Sequence, residues 1–588
     1  MKRAAAVFVL GMFLASACIM SSGCGAIQAR QRKSFARAVK LPFEKVLPGP
    51  VTEYEVMQAG GGSGRAYILH SSRLGPDGLR MEGKLGRSCA KDKPWLLIRN
   101  IKTGRGVGVL LAYSGNWRIE AHAKGENTVL RVVTVPESLE PFETVNGVPV
   151  PGAIYAEFNG DWDSGAQAIT RFIRARLVRN LGDDWPPVQY NTWYDGYGKM
   201  DTEHLIETAK AAADVGCELF VIDAGWYGHQ EKWQNSVGDW TVNAKRFPNG
   251  IEPVADQVRK LGMKFGMWVE IENANPETPV AKAHPEWFLR DGDKLAATDK
   301  YRMCLDFGNP AALAWAKGEI DRIVTTYRLD YIKMDFNTNL AVDSEKYVQQ
   351  PDPLWRHYRG LAELWTYMRT RYPKLIVENC SSGSLRHDAF TAAHTDTHWV
   401  SDAVRGGNNL AMNFGATYLF PAETCSHWTC YPAPNDFMDT EASFTISMLG
   451  HMGLSGQILN WDEQTRRQAA ESISLYKRIR PILRKADVYH LTPQADQKSP
   501  QSVEAVQYLD AAGDRAIVFV FQGGDPSLAA TLRLCSLRPD ATYRVTMPAM
   551  FGPDRLAKGN ELMNDGVRVY FPHQGASAVL QVEPTSVK

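Results

Sequence analysis

Asp330-Tyr331-Ile332-Lys333-Met334-Asp335-Phe336-Asn337 is the run on which the reading of this chain turns. Taken as a strand, its two-residue alternation puts Ile332, Met334 and Phe336 on one face and Lys333, Asp335 and Asn337 on the other. The apolar face can pack under helices, which turns a cation, a carboxylate and an amide toward the inside of a barrel. Burying Lys333 and Asp335 together is unfavourable unless they are paired or put to use. Two readings stand for this segment: a structural ion pair, and a reacting carboxylate.

Around this run, short apolar stretches alternate with amphipathic helical patterns from about 188 to 460. Strands read at 188–193, 218–223, 264–270, 303–307, 331–336, 375–379 and 398–401, with an eighth near 450–458. Helices read at 202–215, 251–261, 311–327 and 354–371. This rhythm predicts a (β/α)8 TIM barrel over 181–487. A doubly wound sheet fits less well, because no glycine-rich dinucleotide turn follows the first strand.

Before it, runs such as Trp95-Leu96-Leu97-Ile98 and Val129-Leu130-Arg131-Val132-Val133 predict an N-terminal β-sandwich-like domain over 46–180, closed by a helix near 165–177. After a helical stretch at 463–483, Ala516-Ile517-Val518-Phe519-Val520-Phe521 predicts a C-terminal antiparallel β-sandwich over 488–588. Met1-Lys2-Arg3 and the apolar run to about Met20 form an export signal over 1–24, too short for a membrane span. Small residues precede both Cys18 and Cys24, as at a bacterial lipoprotein site. Cys24 is favoured, because it leaves a fuller apolar core; plain cleavage after Ala15-Ser16-Ala17 is the alternative. The expectation is an exported protein, periplasmic or at the cell surface, touching the membrane only through such a lipid anchor. The polar, basic stretch 25–45 reads as a linker.

Lys plus Arg number 66 against 65 Asp plus Glu, with no charge block, so composition offers no basic face for nucleic acid. The seven cysteines beyond the signal are scattered and odd in number, which is not a disulfide scaffold; only Cys425 and Cys430 are close enough in sequence to pair locally.

Barrels carry their reacting groups at the C-terminal ends of strands. Asp223, Glu270, Glu272, Asp306, Asp335, Glu378 and Asp402 all lie near such ends. Asp402, in Trp399-Val400-Ser401-Asp402, stands two strands after Asp335, although Ser-Asp is also a common helix start. A retaining glycosidase needs two carboxyl groups about 5–5.5 Å apart, within reach of inward-leaning Asp side chains on strands about 4.8 Å apart. Trp193, Trp226, Trp240 and Trp268 near strand ends are core residues or a sugar platform. There is no Gly-x-Ser-x-Gly elbow, His-Glu-x-x-His or phosphate loop. The two histidines of His394-Thr395-Asp396-Thr397-His398 precede a strand instead of sharing a helix face. Neither a metal nor an organic cofactor is called for.

Several segments, in order, resemble glycoside hydrolase family 36, the bacterial α-galactosidase family, over about 155–480. They include Phe220-Val221-Ile222-Asp223-Ala224-Gly225-Trp226, Gly238-Asp239-Trp240, Gly266-Met267-Trp268-Val269-Glu270-Ile271-Glu272, Asp330 through Asn337, Glu378-Asn379-Cys380-Ser381-Ser382-Gly383 and Ser401-Asp402. The resemblance implies a retaining exo-α-galactosidase acting on oligosaccharides or glycans, with Asp335 as nucleophile and Asp402 as acid/base. It places Trp193, Trp240, Lys333, Cys380 and Gly383 at sugar-contacting positions, and Asp223 at a galactose-hydroxyl acceptor. Asn337 shares the inward face of Asp335. Arg302 stands near a family arginine but two residues out of register with Asp306. By the same analogy the chain self-associates.

Two positions depart from the family. Ala224 replaces the second of two aspartates before Gly-Trp, a loss of a charged acceptor that weakens binding by about 1.5–3 kcal/mol. Ser384 replaces a glycine near the sugar's 2-substituent. These keep an α-N-acetylgalactosaminidase or α-galactosaminidase in view, and a non-hydrolytic surface glycan-binding protein is the alternative of another class.

Overall fold

A computed structural model of the chain describes residues 34–198, 200–404, 406–430, 440–495, 503–523 and 528–585. The expected export signal, with Cys18 and Cys24, lies outside them, as does the first part of the expected linker.

Eight parallel strands close into a barrel: β1 (Gln189–Asn191), β2 (Leu219–Ile222), β3 (Lys264–Val269), β4 (Tyr331–Met334), β5 (Ile376–Asn379), β6 (Thr397–Trp399), β7 (Cys425–Cys430) and β8 (His451–Ser455). β1 completes the circle by pairing with β8. Register aligns Trp268 with Lys333, Lys333 with Glu378 and Glu378 with Thr397, so these side chains share one layer of the interior. The outward set includes Ile332 and Val377, which join the core under the helices. Helix Pro310–Tyr327 starts on Asn309, whose side chain accepts from the Ala311 N–H, and ends at Arg328 in the left-handed region. Helix Pro353–Arg371 starts likewise, with Asp352 accepting from the Trp355 N–H and a proline at its first turn.

The eight-strand count holds with one change of membership. Met303–Cys304 pairs antiparallel with Asn273–Ala274 inside the long connection between β3 and β4, and takes no part in the barrel. The missing strand is β7, Cys-Ser-His-Trp-Thr-Cys, with five of its six residues buried. Its polar letters hide a strand paired on both sides. Cys425 and Cys430 stand at opposite ends of β7 as free thiols, so the local disulfide does not form.

The N-terminal domain holds a six-stranded and a four-stranded antiparallel sheet. The expected linker is corrected here: Phe35–Val39 pairs with Gly152–Asn159, and Phe43–Leu47 pairs with Asn127–Thr134. Both strands lie at sheet edges, and charged residues within them (Arg37, Glu44 and Lys45) disguise them. The C-terminal domain is a six-stranded sheet with a two-stranded companion around its own core. The N-terminal domain and the barrel share one continuous core, which the other face of the C-terminal sheet joins through Val506, Tyr508, Ile517, Phe519 and Phe521.

One buried ion network ties β3 to the β5 connection. Arg386 donates to both oxygens of Glu272 at 2.9 and 2.6 Å, and His357 contacts the same carboxylate at 3.0 Å. Burial opposes the charge on Glu272, but Arg386 and His357 outweigh it and hold the carboxyl down to about 2. Replacing Arg386 with Met should therefore strand a buried carboxylate and destabilise the fold by about 3–5 kcal/mol; urea unfolding at neutral pH measures it, and an unchanged midpoint would refute it.

Candidate active site

Asp335 follows the last residue of β4 and is 8% exposed. Its Oδ2 accepts from the Trp268 indole at 3.1 Å and the Asn337 amide at 2.8 Å. Its Oδ1 accepts from the Phe336 N–H at 2.8 Å and the Ser382 N–H at 3.3 Å, and the Cys380 thiol bonds to the same carboxyl group. Lys333 lies beneath, with Trp428 4.3 Å and Trp399 5.6 Å from its ammonium. Its direct partner is Asp223, at 3.0 Å, and its charge also acts on Asp335. Asp223 also accepts from the Asn191 amide and the Ala224 N–H, each at 2.8 Å. Burial opposes a charge on Asp335, yet the Lys333 ammonium and then the Asn337 amide outweigh it and hold the carboxyl below its ordinary range.

Glu270, at the end of β3, accepts from Arg302 Nε at 2.8 Å, from the Asn337 backbone N–H at 2.7 Å and from its side-chain amide at 3.2 Å. Burial, opposed by Arg302 and reinforced by the Asp335 charge, raises Glu270 above its usual range. Asn337 is thus held between two carboxylates.

Asp402 follows β6 and is open to the cleft mouth. The Trp399 indole donates to its Oδ1 at 2.7 Å, and the Tyr194 hydroxyl donates to its backbone carbonyl at 2.9 Å. Crowding by the protein around the cleft, then the negative charge of Asp335, push its carboxyl up to about 6. Gly383 lies alongside, at φ +82°; a Cβ there would sit 3.1 Å from both the Asp402 nitrogen and the Ser401 Cα. The turn that donates to Asp335 therefore abuts the backbone that carries Asp402. One carboxyl held ionised and one that keeps its proton up to about pH 6 is the division of labour that acid-assisted nucleophilic displacement requires. Among the described residues, no group of three or more His, Cys, Asp and Glu is arranged to hold a metal ion.

The family profile described as Melibiase matches residues 157–486, more than half of the chain. The chain belongs to the melibiase family. The C-terminal domain profile of glycosyl hydrolase family 36 matches residues 503–582. The chain is 26% identical to alpha-galactosidase Mel36A of Lactobacillus acidophilus over 524 residues, covering 86% of this chain and 70% of that protein. It is 26% identical to an alpha-galactosidase of Escherichia coli over 519 residues, covering 86% and 72%. In fold it is similar to the alpha-galactosidase AgaA of Geobacillus stearothermophilus solved with raffinose, at TM-score 0.82 and 21% identity, covering 92% of this chain and 76% of that one.

On this melibiase-family barrel, Asp223, Lys333, Asp335, Asn337, Cys380 and Gly383 converge around the two carboxyls. Arg302 joins them through Glu270. Trp193 opens the short helix Trp193–Gly196 and remains half-buried, against Trp233 at 5.6 Å and Tyr197 at 5.7 Å between ring centroids. Trp240 is 2% exposed, packed among Trp226, Tyr227 and Trp268, so its ring belongs to an aromatic wall. Asp306 goes with the displaced 303–307 run, away from the barrel. Asn191, Ser382 and the indole donation from Trp268 are additions. The first could have been read as an inward polar residue two places before Trp193; the other two depend on how separate connections meet.

Because Gly383 uses a left-handed backbone at a point of close approach, Gly383→Ala should cost about 1–3 kcal/mol of stability. By displacing the Asp402 segment it should also lower turnover by roughly 10–100-fold. Thermal unfolding and steady-state kinetics check the two effects separately, and normal turnover would remove Gly383 from the site.

Proposed function

We propose that the protein is a retaining exo-α-galactosidase that releases terminal α-linked galactose from oligosaccharides or glycans by double displacement. The observation that carries this reading is the meeting of two carboxyls at the barrel mouth: Asp335, accepting from Trp268, Asn337, Phe336 and Ser382, and Asp402, bonded by Trp399 and carried on backbone that abuts the Gly383 turn. Asp335 attacks the anomeric carbon; the glycosidic C–O bond breaks and Asp402 gives its proton to the departing oxygen. Asp402, now a carboxylate, takes a proton from water. The water oxygen bonds to the anomeric carbon as the ester to Asp335 breaks, leaving galactose with the α configuration and Asp402 protonated again.

The α-galactosidase names of the relatives support galactose as the sugar. Of the two departures that raised the N-acetylgalactosamine reading, Ser384 has its hydroxyl taken from behind by Lys93, at 2.7 Å, and is 1% exposed. Ala224 alone still supports that reading. The basic and apolar start of the chain supports an exported enzyme.

The test is hydrolysis of aryl α-galactoside and aryl α-N-acetylgalactosaminide side by side, with product configuration read by NMR. Faster galactoside cleavage with retention is expected, and Asp335→Asn should abolish it; inversion or an active Asp335→Asn enzyme would overturn the mechanism. Asp402→Asn should lower cleavage of poor leaving groups by roughly 10²–10⁴-fold. For the native enzyme, kcat/KM should fall above about pH 6, as Asp402 loses its proton. On the acid side it should fall only below the ordinary carboxylate range, as Asp335 gains one. An optimum on the alkaline side of neutrality would refute Asp402, with its carboxyl at about 6, as the essential acid.

A further inference from the structure

The connection between strands Leu79–Gly83 and Asp92–Asn100 of the N-terminal domain is driven into the barrel between the β4 and β5 connections. Its backbone is bound on both sides: Leu340 N–H donates to Leu85 O at 2.8 Å, and Cys89 N–H to Leu385 O at 2.9 Å. Gly86 turns at φ +62°, where a Cβ would lie 2.6 Å from that of Leu340. At the tip is Arg87, 5% exposed. Its Nε and Nη2 donate to Asn339 Oδ1 at 2.9 and 2.6 Å. Its Nη1 donates to the Phe336 carbonyl at 3.2 Å, Ser382 Oγ at 3.1 Å and Ser381 Oγ at 3.5 Å.

The direction of these bonds has chemical content. Arginine can only donate, so Ser382 Oγ accepts from Arg87 and directs its own hydrogen to Asn337 Oδ1, at 2.8 Å. The Ser382 N–H also donates to that oxygen, at 3.1 Å. With Oδ1 so engaged, the amide nitrogen of Asn337 must face Asp335 and Glu270, as it does at 2.8 and 3.2 Å. Were the amide reversed, an oxygen lone pair would face two carboxylates.

We propose that Arg87, supplied by the N-terminal β domain, is a positioning residue for Asp335, acting through a one-way chain of donors from Arg87 to Ser382 to Asn337 to the carboxylate. The proposal rests on Asp335 being the nucleophile. Arg87 touches no substrate; it fixes which end of the Asn337 amide meets the reacting oxygen. The N-terminal domain is on this account a component of the active centre.

The step to measure is glycosylation of Asp335 by 5-fluoro-α-D-galactosyl fluoride. In it the Asp335 oxygen bonds to the anomeric carbon, the C–F bond breaks and fluoride leaves with the electron pair, so no proton from Asp402 is needed. Trapping rates would be followed by intact mass, with the labelled residue read by peptide mass spectrometry, in the full-length enzyme and in Arg87→Met, Arg87→Lys and Ser382→Ala. We expect the maximal trapping rate to fall roughly ten-fold or more in Arg87→Met and Ser382→Ala. The half-saturating concentration should stay within about two-fold, because no sugar contact is lost. Arg87→Lys, still a donor, should recover part of the rate. Ser382→Ala breaks the chain without emptying the Arg87 site, so it carries the test if Arg87→Met does not fold. Label on Asp335 with unchanged rates in the variants would overturn this inference alone. Label on another residue would overturn the nucleophile assignment, and this inference with it.

Discussion

The ammonium of Lys333, buried on the barrel axis, is the constraint around which the site is arranged. Taking it out of water is costly, and the surroundings offset that in two ways: Asp223 at 3.0 Å, and the ring faces of Trp428 and Trp399. One cation in a dry interior sustains only so much negative charge nearby. Asp223 pairs with the ammonium directly, and the field of Lys333 lowers Asp335. Glu378, in the same layer, is pushed up to about 7 by burial, against the pull of Lys333, and Asp402, farther out, is raised to about 6. Around this axis Lys333 holds Asp335 down while burial prevails at Glu378 and Asp402; Glu270 and Glu272 answer to Arg302 and Arg386 instead.

The walls reinforce that division. Tyr227 stacks on Trp268 at 5.8 Å, and Trp233 meets the same ring edge-on at 5.7 Å. Asp335 and Asp402 each receive one indole N–H, from Trp268 and Trp399. Indoles exclude water with their faces and donate one bond from an edge, so polarity here is aimed at chosen oxygens instead of spread over the pocket.

Much of this was legible in the chain because it is local. The alternation in 330–337 put Lys333, Asp335 and Asn337 inward, and strand-end spacing put Asp402 within reach of them. Seven of the eight strands announced themselves by apolar letters. β7 did not, because its thiols, hydroxyls and His427 are buried by neighbours that supply both ladders; periodicity cannot register partners that are far away in sequence. The first two strands escaped for a related reason, since edge strands carry polar residues on the open side. The true partner of Lys333 and the whole of the Arg87 network were beyond reach. The Lys333–Asp223 pair and every bond made by Arg87 join residues more than a hundred positions apart, and nothing in Lys84-Leu85-Gly86-Arg87-Ser88 distinguishes it from an ordinary turn.

The wedge at Arg87 also bears on how the protein comes to be assembled. Arg87 and Ser382 are 295 positions apart in the chain, so the contact closes a very long loop and belongs to the slow, non-local part of folding. The tip's own backbone is bonded to the β4 and β5 connections, and its domain shares a core with the barrel. Tip and connections therefore order together, and neither has its final shape without the other.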